Sequence, residues 1–173
     1  MSEEFLCVRC ARTMRTCCQT SEIYVTPGDV TRISHATGED AEQFCEFRRP
    51  DDPVYLDSHD DDPIWLETVI REDQQRRVLR REANGDCRFL GEQGCRLALE
   101  DRPLICRLYP FDYNEQEIKP VLANGCPMQL VRPELGLLGE LDMRVDDARR
   151  WHAQLYAELR LERHARCSPP SDT

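Results

Sequence analysis

Cysteine placement constrains this chain more than any other feature. Cys7, Cys10, Cys17 and Cys18 fall within twelve residues, Cys87, Cys95, Cys106 and Cys126 form a second group, and Cys45 and Cys167 stand outside both. A length of 173 residues suits one domain with a core of its own. Ten cysteines in that length stay below the roughly 8 to 10% that marks a disulfide scaffold. The opening MSEEFLCVRC is acidic and lacks the basic start and apolar run of a secretory signal, and no stretch of about 18 apolar residues follows it. The expectation is a soluble, cytoplasmic protein without membrane association. Thiols stay reduced there, so clustered cysteines point to metal or redox chemistry.

Zinc or an iron-sulfur cluster takes about four thiolates per site, because sulfur donates strongly and tetrahedral geometry suits both. Eight clustered cysteines are enough for two such sites. Cys7-x2-Cys10 has the spacing of a metal knuckle, whose turn aims both sulfurs at one ion. The adjacent pair Cys17-Cys18 is different, since neighbours on an extended backbone point to opposite faces. It suits a junction in which each thiol serves a different site, or one thiol bridges two metals. A zinc ribbon needs a second knuckle, whereas the second group is spaced by 7, 10 and 19 intervening residues. The cysteine string of bacterial ferredoxins and the triplet of radical S-adenosylmethionine enzymes are both missing. The metal stays open between zinc and iron, the latter alone or in one or two iron-sulfur clusters. Thiolate charge calls for compensation, and Arg9, Arg88, Arg96 and Arg107 each sit beside a cysteine in sequence. Phe89, Leu90, Leu97, Leu104, Ile105 and Leu108 offer an apolar wrapping for the second group.

Asp and Glu outnumber Lys and Arg by 33 to 23, a formal charge of -10 that repels phosphate backbones and argues against nucleic acid as a partner. The arginine-rich run from Arg71 to Arg81 is interrupted by Glu72 and Asp73 and reads as a solvated helix face. Residues 50 to 63, PDDPVYLDSHDDDP, read as a loop of solvated acid. His59 with Asp57, Asp60, Asp61 and Asp62 has no calcium-loop spacing.

The elements between the cysteines mix helix and hairpin. Thr26, Pro27 and Asp29 form a helix start with a capping box, and Gly38 ends that helix. A second helix is expected from about Asp40 to Arg48 with Phe44 and Phe47 on one side, and a third after Pro63 with Trp65, Leu66, Val69 and Ile70 facing the core. Asn84-Gly85 between VLRRE and CRFL is a hairpin signal. A short turn or helix is expected around Leu104 to Tyr109 and a strand at Ile118 to Leu122. A long amphipathic helix is expected from about Leu138 to Ala165, carrying Leu141, Val145, Ala148, Trp151, Leu155 and Leu159 on one face. The tail from Cys167 to Thr173 reads as disordered. The fold class is therefore α+β: a small, mostly helical single domain over residues 1–166 with short hairpins, organised around cysteine-ligated metal. Ser21, Ser34, Ser58, Ser168 and the histidines show no nucleophile pattern, and His35, His152 and His164 fall on helices as surface or capping groups.

Taken together, Cys7-x2-Cys10-x6-Cys17-Cys18, the helix entry YVTPGDVTRI, the run GDCRFLGEQGCRLALEDRPLICRLYPF and Cys126 resemble the YkgJ-type, or CxxCxxCC, bacterial family of zinc- or iron-chelating proteins over roughly residues 5 to 130. The most specific part is Cys87-x-Phe89-Leu90, Cys95, Arg102-Pro103-x-x-Cys106-Arg107 and Tyr109-Pro110. The resemblance implies Cys7, Cys10, Cys17, Cys18, Cys87, Cys95, Cys106 and Cys126 as ligands, with Cys45 a buried core thiol and Cys167 a tail thiol. One branch of the family resembles the cysteine-rich part of flagellin lysine methylases, although no GxGxxG loop is present here.

Three functions compete. The first is a metal protein with a structural or redox role, whose partner is the metal ion. The second is a metal-dependent enzyme that modifies protein side chains, in which Arg102 or Tyr109 would be needed for turnover. The third is a structural zinc module that presents its acidic loop and last helix to a protein partner.

Overall fold

The computed structural model describes residues 4–57, 60–122 and 125–167. Ser58, His59 and the tail from Ser168 lie outside the described residues, so the expectations placed on them are not addressed. In chain order the elements are α1 (Leu6–Thr13), α2 (Cys17–Thr20), α3 (Pro27–Thr37), α4 (Ala41–Phe44), β1 (Cys45–Arg48), α5 (Pro63–Val69), β2 (Arg76–Leu79), β3 (Leu90–Gly91), β4 (Gly94–Cys95), α6 (Leu104–Leu108), β5 (Phe111–Tyr113), β6 (Ile118–Leu122), α7 (Gly136–Glu140) and α8 (Val145–Cys167). The strands make three antiparallel pairs, β1 with β2, β3 with β4 and β5 with β6. Helices dominate, and the arrangement is α+β. Among the described residues, no helix is long and apolar enough to cross a membrane.

Local signals explain several elements. The Asp29 N–H donates to Thr26 Oγ1 at 2.9 Å and the Thr26 N–H donates to Asp29 Oδ2 at 3.0 Å, so α3 begins in a reciprocal capping box. It ends at Gly38, whose φ of 73° favours a residue without Cβ. The α5 helix starts at Pro63 and buries Ile64, Trp65, Thr68 and Val69. The β6 strand occupies the residues expected of it.

Other expectations are overturned by long-range pairing. The helix expected from Asp40 to Arg48 stops after Phe44, and Cys45 to Arg48 instead pair with Leu79 to Arg76. Phe44 is buried while Phe47 is exposed, so the two do not share a face. The run from Arg71 to Arg81 is no solvated helix face: Arg76 opens β2, is buried, pairs with Glu22 at 2.6 Å and stacks over Tyr55 at 3.9 Å. Gly85 turns with a φ of 88° as Asn84-Gly85 requires, but the flanking residues form only an isolated bridge between Arg81 and Cys87. The expected C-terminal helix is two helices, broken at residues 141–144 where Asp142 takes a φ of 51°. Leu141 therefore falls in the break, and Val145 is exposed at the start of α8. Asp62 is buried beneath Tyr156, whose hydroxyl donates to Asp62 Oδ2 at 2.5 Å, so the acidic loop is not wholly solvated.

Two apolar clusters share the interior. One joins α5, α6 and α8 through Trp65, Leu104, Leu108, Trp151, Leu155 and Leu159. The other gathers Ile23, Val25, Ile33, Phe44, Leu79, Phe89 and Leu97 with Cys87. Ile105, next to Cys106, packs against both clusters. The apolar stripe expected on α8 is the face it packs on α5 and α6, where Ala148, Trp151, Leu155 and Leu159 are buried together with Tyr156.

Candidate metal centre

Cys18, Cys95 and Cys106 pack against the second apolar cluster, in which Cys87 is itself buried. Backbone structure brings these four thiols together from distant parts of the chain. The Cys87 N–H donates to the Cys18 carbonyl at 2.8 Å. Cys95 pairs with Leu90 across the β3/β4 hairpin, and the Leu90 N–H donates to the Cys87 carbonyl at 2.9 Å. Cys106 lies on α6, whose first turn is fixed by the Leu104 N–H donating to Asp29 Oδ1 at 3.1 Å.

The thiols resist ionisation. Burial pushes Cys87 up to about 11, with the Cys18 and Cys95 thiols adding to it and Arg81 opposing. Burial raises Cys106 further, reinforced by Cys18, Cys87 and Cys95. Cys18 is raised by its hydrogen bond with Cys17 and then by burial, and Arg102 acts in the opposite direction. Cys95 is raised by burial against hydrogen bonds from the Leu97 backbone and Arg102.

Of the remaining cysteines of the pattern, Cys10, Cys17 and Cys126 gather near Tyr109. Cys10 is buried on α1, and α1 is held to the chain that follows Cys126. Arg9 donates to the Leu130 carbonyl at 3.0 Å and to Glu140 at 2.5 Å, and Arg132 donates to the other Glu140 oxygen at 2.8 Å. Cys126 is raised by burial, with Cys10 adding and a hydrogen bond from Tyr109 opposing. The Tyr109 hydroxyl is raised by burial, then by Cys126, Cys17 and Cys10. Cys7 is exposed as a residue, yet loss of hydration about its sulfur raises it, followed by the influence of Cys126, Cys18 and Cys10, with Arg102 opposing.

Cys17 and Cys18 open the α2 turn, which Gln19 Oε1 closes by accepting the Thr16 N–H at 3.0 Å. Successive side chains on a helix diverge by about 100°. Cys17 influences Tyr109 and Cys18 influences Cys87, Cys95 and Cys106, although the two thiols also act on each other and Cys18 acts on Cys7. Cys45 and Cys167 stand apart. Cys45 is half-buried rather than a core thiol and lines a surface hollow of about 370 Å³ with Val30, Ala41, Phe47, Arg77 and Arg80. Cys167 ends α8 and is exposed.

The arginines beside the cysteines in sequence point elsewhere. Arg9 is bound to Glu140, Arg88 pairs with Glu39 at 2.8 Å, and Arg96 donates to the Arg88 carbonyl at 2.5 Å. Arg107 is buried and clamps the preceding turn, donating to the Arg102 carbonyl at 2.7 Å and the Glu100 carbonyl at 2.6 Å. That clamp presents Arg102, whose Nε donates to the Leu97 carbonyl at 3.0 Å and whose charge favours the thiolates of Cys7, Cys18 and Cys95. Sequence adjacency misled here because neighbouring side chains leave the backbone in different directions. The RPxxC stretch that carries Arg102 was the available signal.

Among the described residues, no three Cys, His, Asp or Glu side chains are closed into a ligand shell. The donor chemistry nonetheless fits zinc or iron. Thiols that burial and one another keep protonated are the ones a divalent cation would deprotonate, because its charge replaces the missing compensation.

A model of the CxxCxxCC family, described as "Putative zinc- or iron-chelating domain", matches residues 6–127. The chain belongs to this family. Both cysteine groups lie within the matched residues, and α7 and α8 lie beyond them. Membership in the CxxCxxCC family supports a metal-binding role with zinc or iron as the metal. Neither the curated proteins nor the solved structures that were compared contain a match to the chain.

Proposed function

We propose that this CxxCxxCC domain binds zinc or iron in two adjoining thiolate sites, Cys18 with Cys87, Cys95 and Cys106, and Cys7 with Cys10, Cys17 and Cys126, and that the metal serves a structural or redox role. The observation that carries this reading is the packing of Cys18, Cys87, Cys95 and Cys106 on one apolar cluster, with the Cys87 N–H donating to the Cys18 carbonyl at 2.8 Å. In this reading the adjacent pair is a junction, with Cys17 assigned to one site and Cys18 to the other. Bound metal would supply a charge that draws the thiolates together, or one electron at a time if it is iron. The protein's own part is separate from that chemistry. The apolar cluster limits water at the sulfurs, Arg102 offsets their charge, and Asp29 holds the helix that carries Cys106.

Protein purified without oxygen, with zinc, iron and acid-labile sulfide measured per chain, tests the reading. Zinc or iron bound in stoichiometric amount supports it, and labile sulfide with visible sulfur-to-iron absorbance selects an iron-sulfur cluster. A folded chain that is metal-free and takes up neither metal overturns it.

A further inference from the structure

Gly125 precedes Cys126, and space rather than backbone conformation accounts for a glycine there. It is not among the glycines with positive φ. A Cβ built on Gly125 would collide with the Tyr109 hydroxyl and lie 2.9 Å from the ring carbon that bears it. The phenol is therefore laid directly against the Gly125 backbone. The Tyr109 N–H closes the last turn of α6 on the Ile105 carbonyl at 3.1 Å, so the ring starts from a fixed point. Gly125 is bonded to Cys126, so the hydroxyl laid on it is a donor beside that thiol, and Cys126, Cys17 and Cys10 are the thiols that act on the phenol.

We propose that Tyr109 is a positioning residue for the second thiolate site: its O–H, seated in the space left by Gly125, donates to Cys126 Sγ and holds that sulfur on the side of Cys10 and Cys17. The proposal rests on the metal-binding reading above and adds to it an outer hydrogen bond that tunes one sulfur. A donor at a thiolate withdraws electron density from it. A metal bound there meets a weaker donor, and iron bound there takes up an electron more readily. An unspecialised core tyrosine would park its hydroxyl on any near acceptor, and removing it would change stability while leaving the sulfur's electronic character alone.

Cobalt(II), added without oxygen to the full chain, serves as the probe, because its thiolate charge-transfer band reports sulfur donor strength. Tyr109→Phe is expected to move that band to lower energy, as the sulfur becomes a stronger donor, and still to weaken cobalt binding at this site by about tenfold or more, because a sulfur no longer held in place costs more than the stronger donor returns. Gly125→Ala, which pushes the phenol away, is expected to do the same. The double variant should be no worse than either single change, since both remove one hydrogen bond. In a Cys126→Ser background, Tyr109→Phe should change nothing further. A Tyr109→Phe spectrum and affinity equal to the parent's overturn this inference and leave the metal-binding reading standing. Failure of the parent chain to bind cobalt, zinc or iron overturns both.

Discussion

The Leu104 backbone N–H donates to Asp29 Oδ1 at 3.1 Å, joining the cap of α3 to the first turn of the helix that carries Cys106. The same carboxylate accepts from the Thr26 N–H and from Arg32, at 3.0 and 2.6 Å, and is fully buried. One side chain thus satisfies a helix start on each of two elements and leaves α6 little freedom to turn its cysteine elsewhere.

Asp29→Ala leaves the Leu104 and Thr26 N–H groups without their acceptor and Arg32 with Glu158 alone. The expected loss is about 2 to 4 kcal/mol, from two buried N–H groups left without an acceptor. Denaturant unfolding of the metal-free chain measures it; a loss under about 1 kcal/mol, the scale of an exposed pair, would contradict the role assigned to Asp29.

Glu140 gives the molecule an acid-sensitive seam. The Arg132 side chain, then the Arg132 backbone N–H and Arg9, outweigh burial and hold its carboxyl down to about 2, against 4.5 when unperturbed. A carboxyl lowered on folding stabilises the folded state above its unfolded value, and that contribution fades as pH falls toward the folded one. The parent chain should lose stability relative to Glu140→Gln between about pH 4.5 and 2. Parallel curves for the two proteins across that window would remove the seam.

The thiols give a second pH dependence of opposite use. They are protonated at neutral pH in the metal-free chain, since burial raises Cys87 to about 11 and raises Cys106 as well. Zinc binding at pH 7 should release about one proton for each thiolate it takes, and affinity should climb with pH. Indicator dye in weak buffer reads the release; binding without it would exclude thiolate ligands.

Separation of the adjacent pair is open to direct measurement. Cys17→Ser should lower metal content at the site with Cys10 and Cys126, and Cys18→Ser at the site with Cys87, Cys95 and Cys106, each leaving the other loaded. Cys45→Ser and Cys167→Ser should leave metal content unchanged. Equal loss of all metal from both members of the pair would mean a single shared site.

Local chemistry in the sequence was enough for features decided within a few residues. The Thr26 and Asp29 box, the stop at Gly38, the helix after Pro63 and the strand from Ile118 to Leu122 all depend on near neighbours. Cys45 to Arg48 became a strand because Leu79 to Arg76 lie alongside, about thirty residues on, and no local periodicity announces such a partner. The long helix broke at residues 141–144, after Glu140, which is committed to Arg9 and Arg132, partners that a helical wheel does not contain. At the site, the cysteine pattern stood out, while the grouping of Cys18 with Cys87 depends on one backbone hydrogen bond across 69 positions. Arg102 could not be preferred over Arg107 without seeing that Arg107 is spent on the turn before it.

The Arg9 to Glu140 ion pair spans 131 positions of the chain. During synthesis Cys7 and Cys10 are made before the other cysteines, yet the Arg9 bonds that hold α1 wait for Leu130 and Glu140. The residues that gather Cys18, Cys87, Cys95 and Cys106 are all made by then. The first of these cysteines to be made thus wait longest for the bonds that hold their helix.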